Sequence, residues 1–164
     1  MKALLFSYLI LSPFVLIAYL VEDFPIAATS TLGFGFALVV VYLDSLGKAT
    51  IGYGHLLTED DDFEEGIQYD KSLLEVLFDK DFNRSAYNAE QLLEGIDICD
   101  TAREIIVEMV FQLGIGGVSK FKKMFEALRK KDYNEAAEQM LDSQWRVQTP
   151  KRCEELSSLM RSCA

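Results

Sequence analysis

The chain has 164 residues, half of them apolar (50%), with 26 acidic against 16 basic side chains and a formal net charge of −10. That length suits one core or two small lobes and argues against several independent domains. The acidic balance excludes a typical nucleic-acid partner, whose affinity comes from Lys and Arg neutralising phosphates, and it suits an anionic polymer only where acid titrates the carboxylates or salt screens them.

From Ala3 to Val21 no side chain is charged; Lys2 precedes the run, and Glu22 and Asp23 follow it. Roughly 19 residues is long for a signal-peptide core and just enough to span a bilayer, so residues 1–30 read as a secretory signal or a membrane anchor, with membrane contact through residues 3–21. Lys2 inside and Glu22–Asp23 outside place the remainder beyond the cytoplasm, either secreted or anchored facing outward. A buried core helix is the third reading, and Pro13 in mid-run counts against it. Phe24 to Leu43 is again uncharged, and its stretch from Thr31 to Tyr42 fits neither helical nor strand alternation cleanly. It reads as a buried strand or a second membrane-seeking segment.

After Tyr42 the texture becomes that of an ordinary soluble protein. Asp44-Ser-Leu-Gly47 is a turn signal with an Asx-type start and a glycine where positive φ is expected, and Thr50-Ile-Gly-Tyr-Gly54 follows as a short strand, giving a β-hairpin. The acidic run Glu59 to Asp62 reads as a solvated loop. Asp70 offers an N-cap to a helix through Phe82, in which Leu73, Leu74, Leu77 and Phe78 recur at helical spacing. Further helices are expected from Asp100 to Leu113, stopped by Gly114; from a Ser119 cap to Lys130; from the capping box Asp132-Tyr-Asn-Glu135; and from Thr149-Pro150 to about Arg161.

Cys99, Cys153 and Cys163 have neither the number nor the spacing of a disulfide framework or zinc site and read as structural. Cys153 and Cys163 can pair only if the chain bends between them, because ten residues of straight helix span about 15 Å. One thiol is left over in any case.

The hairpin carries the first chemical signal. Asp44 leads into the turn and Thr50 returns on the facing strand, which brings a carboxylate and a hydroxyl within reach of one water, the carboxylate as general base and the hydroxyl as its positioner. An Asp before a turn is more often just a turn cap. His55, the only histidine, is more often a structural partner of a carboxylate than a ligand.

The string from Tyr42 to Leu57 resembles the active-site hairpin of the phage-type lysozymes, the T-even phage enzyme and its relatives. Met109-Val-Phe-Gln-Leu-Gly114 with Gly117-Val-Ser-Lys-Phe121, and Trp145 with Gln148-Thr-Pro-Lys-Arg152, resemble strings of that family's helical lobe, so the likeness runs from Tyr42 to about Arg161. It implies an α+β, two-lobed fold: a small β-hairpin lobe at about 31–66 and a mainly helical lobe at about 85–164, joined by a long helix at about 70–84. It implies a monomeric muramidase cleaving the β-1,4 bond between N-acetylmuramic acid and N-acetylglucosamine in peptidoglycan, with no metal or other cofactor. By the same resemblance Asp44 and Thr50 are catalytic, Leu56 and Phe111 line the saccharide cleft, and His55 pairs with Asp81. Met124 stands where the family has a small hydroxyl residue and Gln139 where it has asparagine.

One departure is chemical. The family's general-acid glutamate falls seven residues before the hairpin tyrosine, and here that position is Gly35. Loss of a general acid costs about 10²–10⁴ in rate, so the resemblance implies an impaired hydrolase. The alternative is a catalytically inactive homologue that binds glycan.

Overall fold

The structure is a computed structural model that describes residues 38–44 and 47–164. Residues 1–37, Gly35 among them, and residues 45–46 lie outside the described residues, so the expectations attached to them stand as sequence readings. Among the described residues no helix is long and apolar enough to cross a membrane.

The fold is α+β. Strands β1 (Leu38–Leu43), β2 (Ala49–Gly52) and β3 (His55–Leu56) form one antiparallel sheet in chain order. Six helices follow: α1 (Lys71–Leu92), α2 (Asp100–Val118), α3 (Lys122–Arg129), α4 (Tyr133–Leu141), α5 (Gln144–Gln148) and α6 (Pro150–Arg161). The chain divides into two compact units, one ending at Lys80 and the other beginning at Asp81.

In the first unit the sheet buries one face. Ile51 and Leu74 are the enclosed side chains, with Val39, Val41, Tyr53 and Leu77 packed around them. The segment after β3 is tied down: the Tyr69 backbone N–H donates to Val39 O at 2.7 Å, and the Tyr69 hydroxyl accepts from the Glu64 N–H at 2.6 Å. Asp70 caps α1 as expected, its carboxylate accepting from the Ser72 N–H at 2.8 Å. The helix then continues ten residues past Phe82, since nothing in Asn83 to Gln91 breaks it before Gly95.

The second unit is built on a core from all its helices, including Ile106 and Met109 of α2, Met124 and Leu128 of α3, Met140 of α4 and Met160 of α6. Helix α4 packs on α3 and α6, and α6 also meets α2 and α5. Gly114 interrupts α2 with φ 70° and ψ 161°, a conformation open to glycine and strained for other residues. A short helical run follows it, and Ser119 is used to finish that run: its N–H donates to Ile115 O and its hydroxyl to Gly116 O. The expected Ser119 N-cap for α3 is therefore corrected; α3 begins after Phe121 with no side-chain cap. The capping residue of α2 moves back by one, from Asp100 to Cys99, whose sulfur accepts from the Ala102 N–H at 3.2 Å. Asp132 caps α4 by accepting from the Glu135 N–H, and Pro150 opens α6, both as expected. The short helix α5, capped by Ser143, was not legible in the sequence.

The cysteines pair differently from the one option the sequence offered. Cys99 and Cys163 form a disulfide across 64 residues with Cα atoms 6.3 Å apart. Cys153 lies within straight α6, buried, with its thiol donating to Met140 O, so it is held away from Cys163 beyond the helix end. Closing a loop of 64 residues removes about 4 kcal/mol of unfolded-state entropy. Cys163→Ser is expected to lower unfolding free energy by about 2–4 kcal/mol in denaturant titration, and an unchanged midpoint would show the bridge to be energetically idle.

Candidate active site

The register of the sheet positions the hairpin residues. Tyr42 faces Thr50 across β1 and β2, and Thr50 faces Leu56 across β2 and β3. Directly paired residues share a face, so these three form one row, while Ile51 and His55 form the next row, on the other face. Thr50 is 4% exposed and Leu56 45% exposed, so the row runs from a buried hydroxyl to an open apolar side chain.

Asp44 and Thr50 are anchored on the same residue in opposite senses. One Asp44 oxygen accepts from the Lys48 backbone N–H at 2.8 Å, while the Thr50 hydroxyl donates to the Lys48 carbonyl at 3.0 Å. The Asp44 N–H also donates to Lys48 O, and the Gly47 N–H to Asp44 O, each at 2.9 Å. Gly47 has φ 74°, which lets the backbone reverse there. Asp44 is thus a turn cap, as the commoner reading held. A carboxylate offers about four lone-pair sites, so capping a turn is compatible with further hydrogen bonds. The Thr50 hydroxyl has spent its proton on Lys48, so its oxygen is left to accept. Burial, and after it the Asp44 charge, push the Tyr42 phenol up to about 12, which keeps Tyr42 neutral beside the carboxylate.

His55 meets a carboxylate that the sequence reading had assigned to solvent. Its Nε2 lies 3.2 Å from Asp61 Oδ1, and the other Asp61 oxygen accepts from both the N–H and the hydroxyl of Thr58 at 2.7 Å. The Thr58 hydroxyl chiefly, with its N–H and His55, holds the Asp61 carboxyl below the usual range despite some opposing desolvation. Asp61 therefore stitches β3 to the following segment, and the acidic run is only partly a solvated loop. Asp81, which the resemblance pairs with His55, lies on α1, where its backbone carbonyl accepts from the Ser85 hydroxyl at 2.9 Å.

The phage lysozyme family model matches residues 35–161. The chain belongs to the phage lysozyme family. Among curated relatives, "Probable T4-type lysozyme 2" of Dictyostelium discoideum is 32% identical, the match covering 74% of this chain and 85% of that protein. "Probable T4-type lysozyme 1" of the same organism is 29% identical with the same coverage. "Pre-baseplate central spike protein Gp5" of Enterobacteria phage T4 is 27% identical over 73% of this chain, but the match takes in 25% of that protein.

In the second unit of this lysozyme-family chain, the two strings singled out in the sequence are joined directly. The Trp145 indole N–H donates to Gln112 Oε1 at 2.8 Å. Phe111, the expected cleft residue, is half-buried beside Gln112 and one turn before the Gly114 break. Met124 is fully buried in the core, while the Gln139 amide donates to Glu135 at 2.8 Å.

Sequence reasoning missed the ion pair at the base of this cluster. Glu108 of α2 and Arg152 of α6 are in direct contact, with side chains only 10% and 11% exposed. The signal was present: Glu108 is a single charge between Ile105-Ile-Val107 and Met109-Val110. Burial pushes its carboxyl up to about 7 against the pull of Arg152, and Glu155 adds to the rise. Burial likewise lowers the Arg152 guanidinium, with Glu108 opposing.

That shift has a signed consequence. The ordinary value is 4.5 and the folded value about 7, so between them the native chain holds a proton that the unfolded chain has lost. The contribution of Glu108 to stability is then complete below about pH 4.5 and lost as pH rises through about 7. Chemical unfolding between pH 4.5 and 7 should show Glu108→Gln with a shallower fall than the unaltered chain; parallel slopes would assign the pH dependence elsewhere.

Proposed function

We propose that the chain is a lysozyme that hydrolyses the β-1,4 bond between N-acetylmuramic acid and N-acetylglucosamine in peptidoglycan, with Asp44 and Thr50 holding the attacking water. The observation that carries this reading is the opposed anchoring of the two side chains on Lys48. A water donating one hydrogen to the Thr50 oxygen and the other to Asp44 keeps a lone pair directed outward. As that lone pair attacks the anomeric carbon, Asp44 takes the departing proton. Leu56, exposed at the end of the same row, offers the apolar surface on which a sugar face rests.

Family membership supports the reaction class. The T4-type lysozymes among the relatives support a peptidoglycan substrate. The Cys99–Cys163 disulfide supports a chain working outside the cytoplasm, where such bonds persist, in line with the apolar segment 3–21. We assign it as a monomer needing no cofactor.

A second reading is a glycan-binding protein without turnover, and it is favoured by one observation: Gly35 occupies the position of the family's acid. Clearing of a peptidoglycan suspension separates the two. The hydrolase reading expects turbidity to fall, with Asp44→Asn slowing it by about 10²–10⁴ while binding of chito-oligosaccharides by calorimetry stays within about twofold. No clearing between about pH 4 and 8, with oligosaccharide binding intact, leaves the binding protein.

A further inference from the structure

The acidic balance of the chain is not spread evenly, and one helix of the second unit reverses it. Residues 120–131 hold six of the 16 basic side chains against a single acid, Glu126. We propose that this surface of α3 holds a phosphodiester polymer of the bacterial wall, polyol or sugar units joined by phosphates. The proposal deepens the wall-directed reading above and rests on it.

Helix α3 sorts its residues by face. Met124, Phe125, Ala127 and Leu128 are buried in the core, so Lys122, Lys123, Glu126 and Arg129 form the outward side, with Lys120 and Lys130 exposed at its two ends. Lys122 and Arg129 are seven residues apart, as are Lys123 and Lys130. Each pair therefore makes a row of two cations about 10 Å apart along the axis.

These cations are not neutralised from within. Arg103, Arg146, Arg152 and Arg161 of the same unit each contact a carboxylate, and Lys131 contacts Asp97. Lys120, Lys122, Lys123, Arg129 and Lys130 make no ion pair among the described residues, and Glu126 bridges none of them. In a chain with 26 acidic side chains, that leaves one face able to meet an anion from outside.

A cleft of about 330 Å³ gives the patch relief. Leu92 and Phe125 supply its apolar floor, and Lys122 and Arg129 its cationic rim. Carbon units between phosphates can rest on the floor while the phosphates reach lysine point charges and the arginine fork.

Sparse charge favours this polymer over nucleic acid. A duplex carries one charge per about 1.7 Å and would press many phosphates against a chain of net charge −10. Screening within about 8 Å lets widely spaced phosphates meet the patch alone. The outward side of α3 has no aromatic ring to stack a base and no apolar side chain to enter a lipid surface. Local charge thus answers the misfit between an acidic chain and an anionic wall.

The test titrates the full chain with synthetic poly(glycerol phosphate) in a calorimeter. The unaltered chain is expected to bind at low salt and to release as salt rises. Affinity should be flat between about pH 5 and 8, because phosphodiester, lysine and arginine all stay charged there. Lys122→Gln, Lys123→Gln, Arg129→Gln and Lys130→Gln together should weaken binding at least about tenfold, while exchanging lysine and arginine at the same four positions keeps it within a few-fold. No binding by the unaltered chain, or equal binding by the neutralised one, overturns the proposal. Tighter binding of poly-glutamate, single-stranded DNA or phosphatidylglycerol vesicles overturns it too, as does self-association of the chain through the same four residues. If the fourfold variant does not fold, Lys122→Gln with Arg129→Gln carries the test, with a loss of about threefold. Clearing of phosphate-free peptidoglycan reports on hydrolysis separately: failure there strikes the hydrolase reading, and failure to bind the polymer strikes the patch.

Discussion

Taking a carboxylate and a guanidinium out of water costs several kcal/mol each, and contact between them repays this only when the geometry is good. The Glu108–Arg152 pair sets that condition on the second unit of this protein. It sits where α2 meets α6, among residues that otherwise pack as an apolar core. Removing one partner would strand the other, so the pair fixes how these two helices meet more strictly than the surrounding methionines and isoleucines can. Burial has a second effect on the same carboxyl: it favours the protonated form and pushes the carboxyl up to about 7.

The hairpin works by the opposite means. Asp44 stays in a polar setting and is fixed by backbone hydrogen bonds to Lys48. Thr50 is buried, yet its hydroxyl is satisfied by the carbonyl of that same residue. One carboxyl is thus held by backbone hydrogen bonds at a turn while the other is enclosed against a guanidinium. Asp61 plays a third role, accepting from Thr58 and His55 to hold the segment that follows β3. Three acidic side chains, all ordinary in sequence, are given three different settings by their surroundings.

Much was legible beforehand because it depended on neighbours in the chain. The Asp44–Gly47 reversal, the Asp70 and Asp132 caps, the Pro150 start and the Gly114 break follow from short-range stereochemistry: which residues accept from nearby N–H groups, which lack a donor and which tolerate positive φ. The α+β class and the family likewise came from strings that survive intact. Where one residue had two local options, as Ser119 did between ending α2 and starting α3, the chain alone did not choose.

What tertiary structure decided were the partnerships across long separations. Cys99 with Cys163, Trp145 with Gln112 and Arg152 with Glu108 join residues tens of positions apart, and no local propensity encodes them. The same is true of ionisation. A sequence states that Glu108 is a carboxylic acid; only packing of α2 against α6 removes its water and supplies its arginine, and so determines whether it holds or gives up its proton.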